Sequence, residues 1–313
     1  MDKGERLVQA AVLAALYCKG APHAVGHGET SRWPKVWDAV RHEAPCLGEV
    51  ADVLRRRGLW AEAAAVDASG SLHSAVADVV AGRVLTVGCP AYPRRWADRL
   101  GSGAPPALWA HGAVPNGPLV GVAGSRCPST AAEAWLTGLC AALAGHGLSV
   151  VSGGASGVDR LAVSHVARLG GAGRAMEVLP CGLSRHCGPA GVACLSPWAL
   201  DAPFSVGQAM ARNTLLYAAS PCTVVIQPRL RAGGTWAGAV DALRRRLCKV
   251  VVWGPGGCAA SEALVALGAV RAPHSTAEAA QLVLGAVVGL EAPCQLGLFG
   301  NGVVREGLAV KVA

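Results

Sequence analysis

Two rhythms of apolar residues run along this chain, and one gives way to the other near residue 83. Before that point apolar positions recur at helical spacing. Leu7, Ala10, Ala11, Leu13, Ala14 and Tyr17 mark a helix over residues 6–17, which Gly20 and Pro22 end. Shorter helices are expected over 33–42, 46–57, 61–66 and 72–80. After residue 83, apolar runs of strand length alternate with helical patterns. Strands are expected at 83–87, 119–123, 148–151, 175–179, 192–195, 223–226 and 250–253. Helices are expected at 131–144, 158–169, 206–217, 235–246, 261–267 and 276–288. Continuous apolar strands alternating with helices define βαβ units, hence a doubly wound, mainly parallel α/β sheet covered on both faces. The proline-bearing segment 92–112 reads as a connector with one short extended piece. The chain thus divides into a small helical N-terminal region (1–82), a sheet domain (83–290) and a tail (291–313).

Composition narrows this picture. Of 313 residues, 52% are hydrophobic and 15% charged, which excludes a disordered chain. Aromatic residues are only 4%, so Ala, Val and Leu must build the core. The formal net charge of +8 points toward a polyanionic partner. With a charged start, Met1 to Arg6, no secretory leader is expected, and no run reaches the roughly 20 apolar residues of a membrane span. No membrane association and a cytoplasmic location are expected. The 12 cysteines include no C-x-x-C pair. Their nearest cluster, Cys181, Cys187 and Cys194 with His186, does not have zinc-knuckle spacing. Free thiols and no metal are expected, and His23, His27 and Glu29 read as a solvated loop.

Parallel sheets bind ligands at the carboxyl ends of their strands, and four segments fall there. The first is Gly124-Ser125-Arg126, with Ser129 or Thr130 as a helix cap. The second is Ser152-Gly153-Gly154-Ala155-Ser156-Gly157, with Arg160 in the helical turn that follows. The third is Arg212-Asn213, and the fourth Gly233-Gly234-Thr235. Each alone reads as a tight turn and a capped helix. Together, glycine turns, helix N-termini and arginines form a site for more than one phosphate. Arg229 and Arg231 flank the fourth segment. The run Arg244-Arg245-Arg246 with Lys249 reads as a solvated helix end. Trp198, Phe204 and Trp236 are the candidate stacking faces. Asp159 is expected to order its turn, so no catalytic residue and no cofactor are assigned.

These motifs, in order, resemble the DNA-processing protein A (DprA/Smf) family. The resemblance also rests on Tyr92-Pro93, Pro105-Pro106-Ala107-Leu108-Trp109 with His111-Gly112, and Gly170-Gly171, and it spans residues 83–270. It implies an extended Rossmann-like fold, binding of single-stranded DNA, delivery of that strand to the RecA recombinase, and a homodimer. No C-terminal winged helix of the kind some members carry is expected. Two positions depart from the family pattern. Val163 stands where a His is usual, with His165 on another face. Cys181-Gly182-Leu183-Ser184-Arg185-His186 replaces a loop built around Tyr-Pro. The rival reading is a nucleotide phosphoribohydrolase of the Lonely Guy kind, to which Gly233-Gly234-Thr235 is partly similar; its helix carboxylate would be Asp241, which falls several residues late. A sensor that binds a nucleotide without cleaving it is a third reading. In the tail, Gln295, Leu296, Leu298 and Phe299 are similar to the short peptides that bind bacterial sliding clamps.

Overall fold

The computed structural model describes residues 33–291, except 44–48, 68–69, 88, 172 and 257. The helix expected over 6–17, the His23, His27 and Glu29 loop and the clamp-like peptide lie outside the described residues. Among the described residues four helices come first: α1 (Trp33–Glu43), α2 (Val50–Arg56), α3 (Trp60–Asp67) and α4 (Gly70–Val80). They bury Val36, Val40, Val53, Leu54, Leu59 and Val66 in one cluster with Val84, Ala107 and Trp109 of the sheet.

The sheet has nine strands: β1 (Val84–Thr86), β2 (Ala107–His111), β3 (Leu119–Gly124), β4 (Ser149–Ser152), β5 (Ala175–Val178), β6 (Ala193–Ser196), β7 (Cys222–Ile226), β8 (Lys249–Trp253) and β9 (Val270–Arg271). Their spatial order is β1-β2-β6-β5-β4-β3-β7-β8-β9. From β6 to β9 every pair is parallel, whereas β1 and β2 join antiparallel at one edge. Its central strands are buried on both faces, which is why they read as unbroken apolar runs.

Helices cover both faces. On one, α6 (Thr130–Gly145), α7 (Val158–Gly170) and α11 (Thr276–Glu291) pack Leu136, Leu139, Leu143, Val163, Val166, Val283 and Val287 against Val120, Val122 and Val150. Trp135 stacks on Trp253 there, with ring centroids 5.2 Å apart. On the other face, α5 (Arg94–Leu100), α8 (Val206–Ala219) and α9 (Gly233–Arg245) pack Trp96, Leu215, Ala218, Leu216 and Ala239 against the strands. The last short helix, α10 (Ala259–Ala266), links β8 to β9. This is the extended Rossmann-like α/β arrangement.

The connector expected over 92–112 is corrected. It holds the helix α5 and an integral strand, β2. Trp96 is fully buried and its indole Nε1 donates to the Leu215 carbonyl at 2.7 Å, which locks α5 onto α8. The prolines lie just outside both elements, so they bound structure rather than interrupt it.

Candidate nucleic-acid interface

β3 lies at the centre of the sheet, between β4 and β7, and chain order reverses across it. The loops leaving these three strands therefore meet at a topological switch point. Gly157 shows how closely: its φ is +79°, and a Cβ there would stand 2.4 Å from the Ser125 carbonyl oxygen and 2.5 Å from that of Arg126. The Val158 N–H donates to Ser125 O at 3.0 Å. Across the other side, the Thr235 hydroxyl donates to Gly124 O at 2.8 Å. The Asn213 amide donates to Gly234 O at 3.1 Å. The four segments singled out in the sequence are thus brought together and tied to one another.

Asp159 and Arg212 make the floor. Asp159 is 7% exposed and accepts from the Gly124 N–H at 3.2 Å. Burial pushes its carboxyl up from near 3.8 to about 6, against the opposing pull of Arg212 and of the N–H groups of Gly124, Gly153 and Ala155. Arg212 is 6% exposed, and its Nη1 donates to the carbonyls of Gly153 and Val178. Burial lowers its pKa and Asp159 raises it. Gly153 leaves the room for this packing, since a Cβ there would overlap the Arg212 guanidinium. The Arg212 side chain thus holds the glycine loop while also lining the small cavity beside Arg126. The Ser152 hydroxyl is buried and donates to Val122 O at 2.6 Å, tying β4 to β3.

The Asp159 environment has a measurable consequence. A carboxyl whose native pKa lies above its unfolded value holds its proton more tightly in the folded chain. Stability from this group is therefore present below about pH 4 and falls as pH rises through about 6, by on the order of 3 kcal/mol. Urea denaturation at pH 4 and pH 7.5 should show this loss in the wild type and not in Asp159→Asn. Equal pH dependence in both proteins would count against it.

Above the floor runs an open groove. Three adjoining cavities, of about 170, 940 and 660 Å³, all have Arg126 in their walls. Arg126, Arg229 and Arg231 are exposed, and Arg160 is half-buried with Nη2 donating to Gly154 O at 3.2 Å. Ser129 and Ser205 cap α6 and α8, while α9 starts on Gly233 with no side-chain cap. Its first N–H groups thus face the cavity that Gly233, Gly234 and Thr235 line. Of the three aromatic candidates, Phe204 is 56% exposed beside Arg126. Trp198 donates to Leu179 O at 3.1 Å and is half-buried, and Trp236 packs against the core under α9.

The sequence reading missed Val206 and Met210, which extend Phe204 into an exposed apolar strip on α8. Their helical spacing resembled core. It also missed Gln227, whose Oε1 accepts the Ser129 N–H at 2.8 Å from a left-handed backbone, φ 50°; glutamine carries no signal for that conformation. Arg244, Arg245 and Lys249 lie at the end of α9 and the start of β8, the sheet edge opposite the groove, where Arg245 pairs with Asp241 at 3.3 Å. Val163 is fully buried in the core.

A Rossmann-like sheet with cationic, glycine-lined loops at its switch point defines an α/β protein of the doubly wound class, with a strand-end groove. The family profile described as DNA recombination-mediator protein A matches residues 83–272, more than half of the chain. The chain belongs to that family. Among solved structures it is similar to DNA processing protein A of Streptococcus pneumoniae, at 18% identity over 91% of this chain and 98% of that one, with a TM-score of 0.61. It is also similar to DNA processing protein A of Helicobacter pylori, whose structure is described for its single-stranded DNA binding mode, at 24% identity over 54% of this chain and 82% of that one, TM-score 0.47. The molybdenum cofactor carrier protein of Chlamydomonas reinhardtii matches at 22% identity over 55% and 98%, TM-score 0.41. At 18% identity, the likeness to the Streptococcus pneumoniae protein is one of fold. No curated protein sequence matches the chain. No described helix is long and apolar enough to cross a membrane.

Proposed function

We propose that the groove holds the backbone of single-stranded DNA without cleaving it, in the DNA-processing role of the family. The observation that carries this reading is the position of Arg126. It is exposed on the one loop that borders all three cavities, beside uncapped N–H groups on one side and the exposed Phe204 on the other. Single-strand binding needs such a cationic track with an apolar face for bases. Three cavities that share Arg126 in their walls suit a strand better than a mononucleotide. The carboxylates a phosphoribohydrolase would use are otherwise engaged: Asp159 is buried in the floor, where it accepts from the Gly124 N–H beside Arg212, and Asp241 pairs with Arg245. On the same reading the strand passes to the RecA recombinase and the chain acts in the cytoplasm as a homodimer. The clamp-like peptide extends this proposal to a second partner.

Fluorescence anisotropy with a labelled oligo-dT strand tests it. Arg126→Ala should weaken binding and reduce the slope of log K against log salt by about one phosphate contact. Phe204→Ala should weaken binding by about 1–3 kcal/mol through lost stacking, with the salt slope unchanged. An Arg126→Ala isotherm that overlays the wild type across the salt series would refute this placement.

A further inference from the structure

Behind the glycine loop, three side chains from separate parts of the chain bring metal-binding atoms together. Glu177 comes from β5, Cys194 from β6, and His186 from the irregular loop between them. Their donor atoms all lie within 4.8 Å of one another. Glu177 is fully buried and Cys194 is 4% exposed. The ring nitrogen Nε2 of His186 stands 2.6 Å from Glu177 Oε2, while the other carboxylate oxygen, Oε1, is buried with no hydrogen-bond partner. A carboxylate with no exposure and an orphaned oxygen is destabilising unless something positive meets it.

The space before these atoms is kept open by Gly188. A Cβ there would lie 3.0 Å from Cys194 Sγ, 3.3 Å from His186 Nε2 and 3.6 Å from Glu177 Oε2. One point thus lies close to all three donors. It faces a cavity of about 1260 Å³ that His186, Cys187, Gly188 and Cys194 help to line. The sequence spacing of the cysteines and His186 excluded a zinc knuckle, and that remains so. Glu177 could not be added to the set from sequence, because it sits inside an apolar strand pattern. His186 belongs to the loop that departs from the family's Tyr-Pro pattern.

We propose that Glu177, His186 and Cys194 bind a zinc ion with one position left open toward this cavity. Sulfur, nitrogen and oxygen donors in a three-residue set match zinc sites that keep an exchangeable fourth position. On binding, the Cys194 thiol releases its proton to solvent and the zinc–sulfur bond forms. The zinc also takes the place of the proton shared by His186 Nε2 and Glu177 Oε2, which passes to solvent, or to Nδ1 as the neutral ring changes tautomer, so that Nε2 and the carboxylate both ligate as bases. Tetrahedral zinc spaces its nitrogen and oxygen ligands by about 3.3 Å, so the His186 ring must withdraw slightly on binding. The ion would fasten the loop to the sheet directly behind Gly154, whose Cβ position is 3.0 Å from the Glu177 carboxylate.

Cobalt(II) titration of the full chain tests this, carried out in a Cys127→Ser/Cys187→Ser background that removes two exposed thiols. One equivalent should bind with a thiolate charge-transfer band in the near ultraviolet, and zinc should displace it. Cys194→Ser and His186→Ala should abolish the band. Gly188→Ala, which removes no ligand but fills the cradle, should weaken zinc about tenfold. Circular dichroism without metal establishes that each variant is folded. No band in the background protein, or a band that survives Cys194→Ser, would overturn the proposal.

Discussion

Arg212→Ala is expected to lower folding stability by about 3–5 kcal/mol, the range for removing one partner of a buried charge pair. The reason lies in what the guanidinium touches. It is buried, donates to the carbonyls of Gly153 and Val178, and supplies the positive charge nearest Asp159. Its loss leaves a buried carboxylate and two carbonyls uncompensated. Strand binding should fall with it, since the glycine loop loses its tether. Urea denaturation monitored by circular dichroism reads the first effect and anisotropy the second. Arg126→Ala separates the two roles, because its exposed side chain leaves stability nearly unchanged while binding weakens. A loss under about 1 kcal/mol for Arg212→Ala would show that the guanidinium does not hold the floor together.

Gly157→Ala should be almost as damaging without touching a charge. The backbone there, with φ 79° and ψ −133°, is one an L-residue adopts only at a cost of about 1–3 kcal/mol. The added methyl also meets the carbonyl oxygens of Ser125 and Arg126 at 2.4 and 2.5 Å, contact that only backbone movement relieves. Together these amount to a loss of roughly 3 kcal/mol or more, seen as a melting temperature lower by on the order of 10 °C. Movement of the 125–129 loop would shift Arg126, so binding should weaken in step. Wild-type melting and binding for this variant would mean that the two loops do not press on each other as described.

The central strands and their helices were legible because burial on both faces leaves an unmistakable apolar run, as in Val224, Val225 and Ile226 of β7 or Val250, Val251 and Val252 of β8. β2 was less so. Its run Ala107-Leu108-Trp109-Ala110 is short and follows two prolines, and its antiparallel pairing with β6 depends on a contact far along the chain. β9 has two residues and no pattern to read. At the site, glycine turns announced the switch point, but an arginine looks the same in sequence whether it stands on an exposed loop, as Arg126 does, or on the buried side of a helix, as Arg212 does. That is why Arg126 and Arg212 were grouped together, and only burial separates them. Glu177 was hidden for the opposite reason: one acid in a strand of apolar neighbours gives no hint that His186 and Cys194 converge on it.

The parallel pairing of β3 with β7 has a kinetic consequence. Val120 to Gly124 lie beside Cys222 to Ile226, so the two walls of the groove are separated by roughly a hundred residues of chain. A partly folded intermediate can form β3, α6 and β4 early, from local contacts, and already display the glycine loop. It cannot display the groove until β7 docks, because Gln227, Arg229 and the start of α9 arrive with that strand. Loop-closure entropy therefore sets β7 docking late. A local opening that releases β7 dismantles the binding surface while leaving half the sheet intact, so strand-binding competence reports completion of the fold rather than its onset.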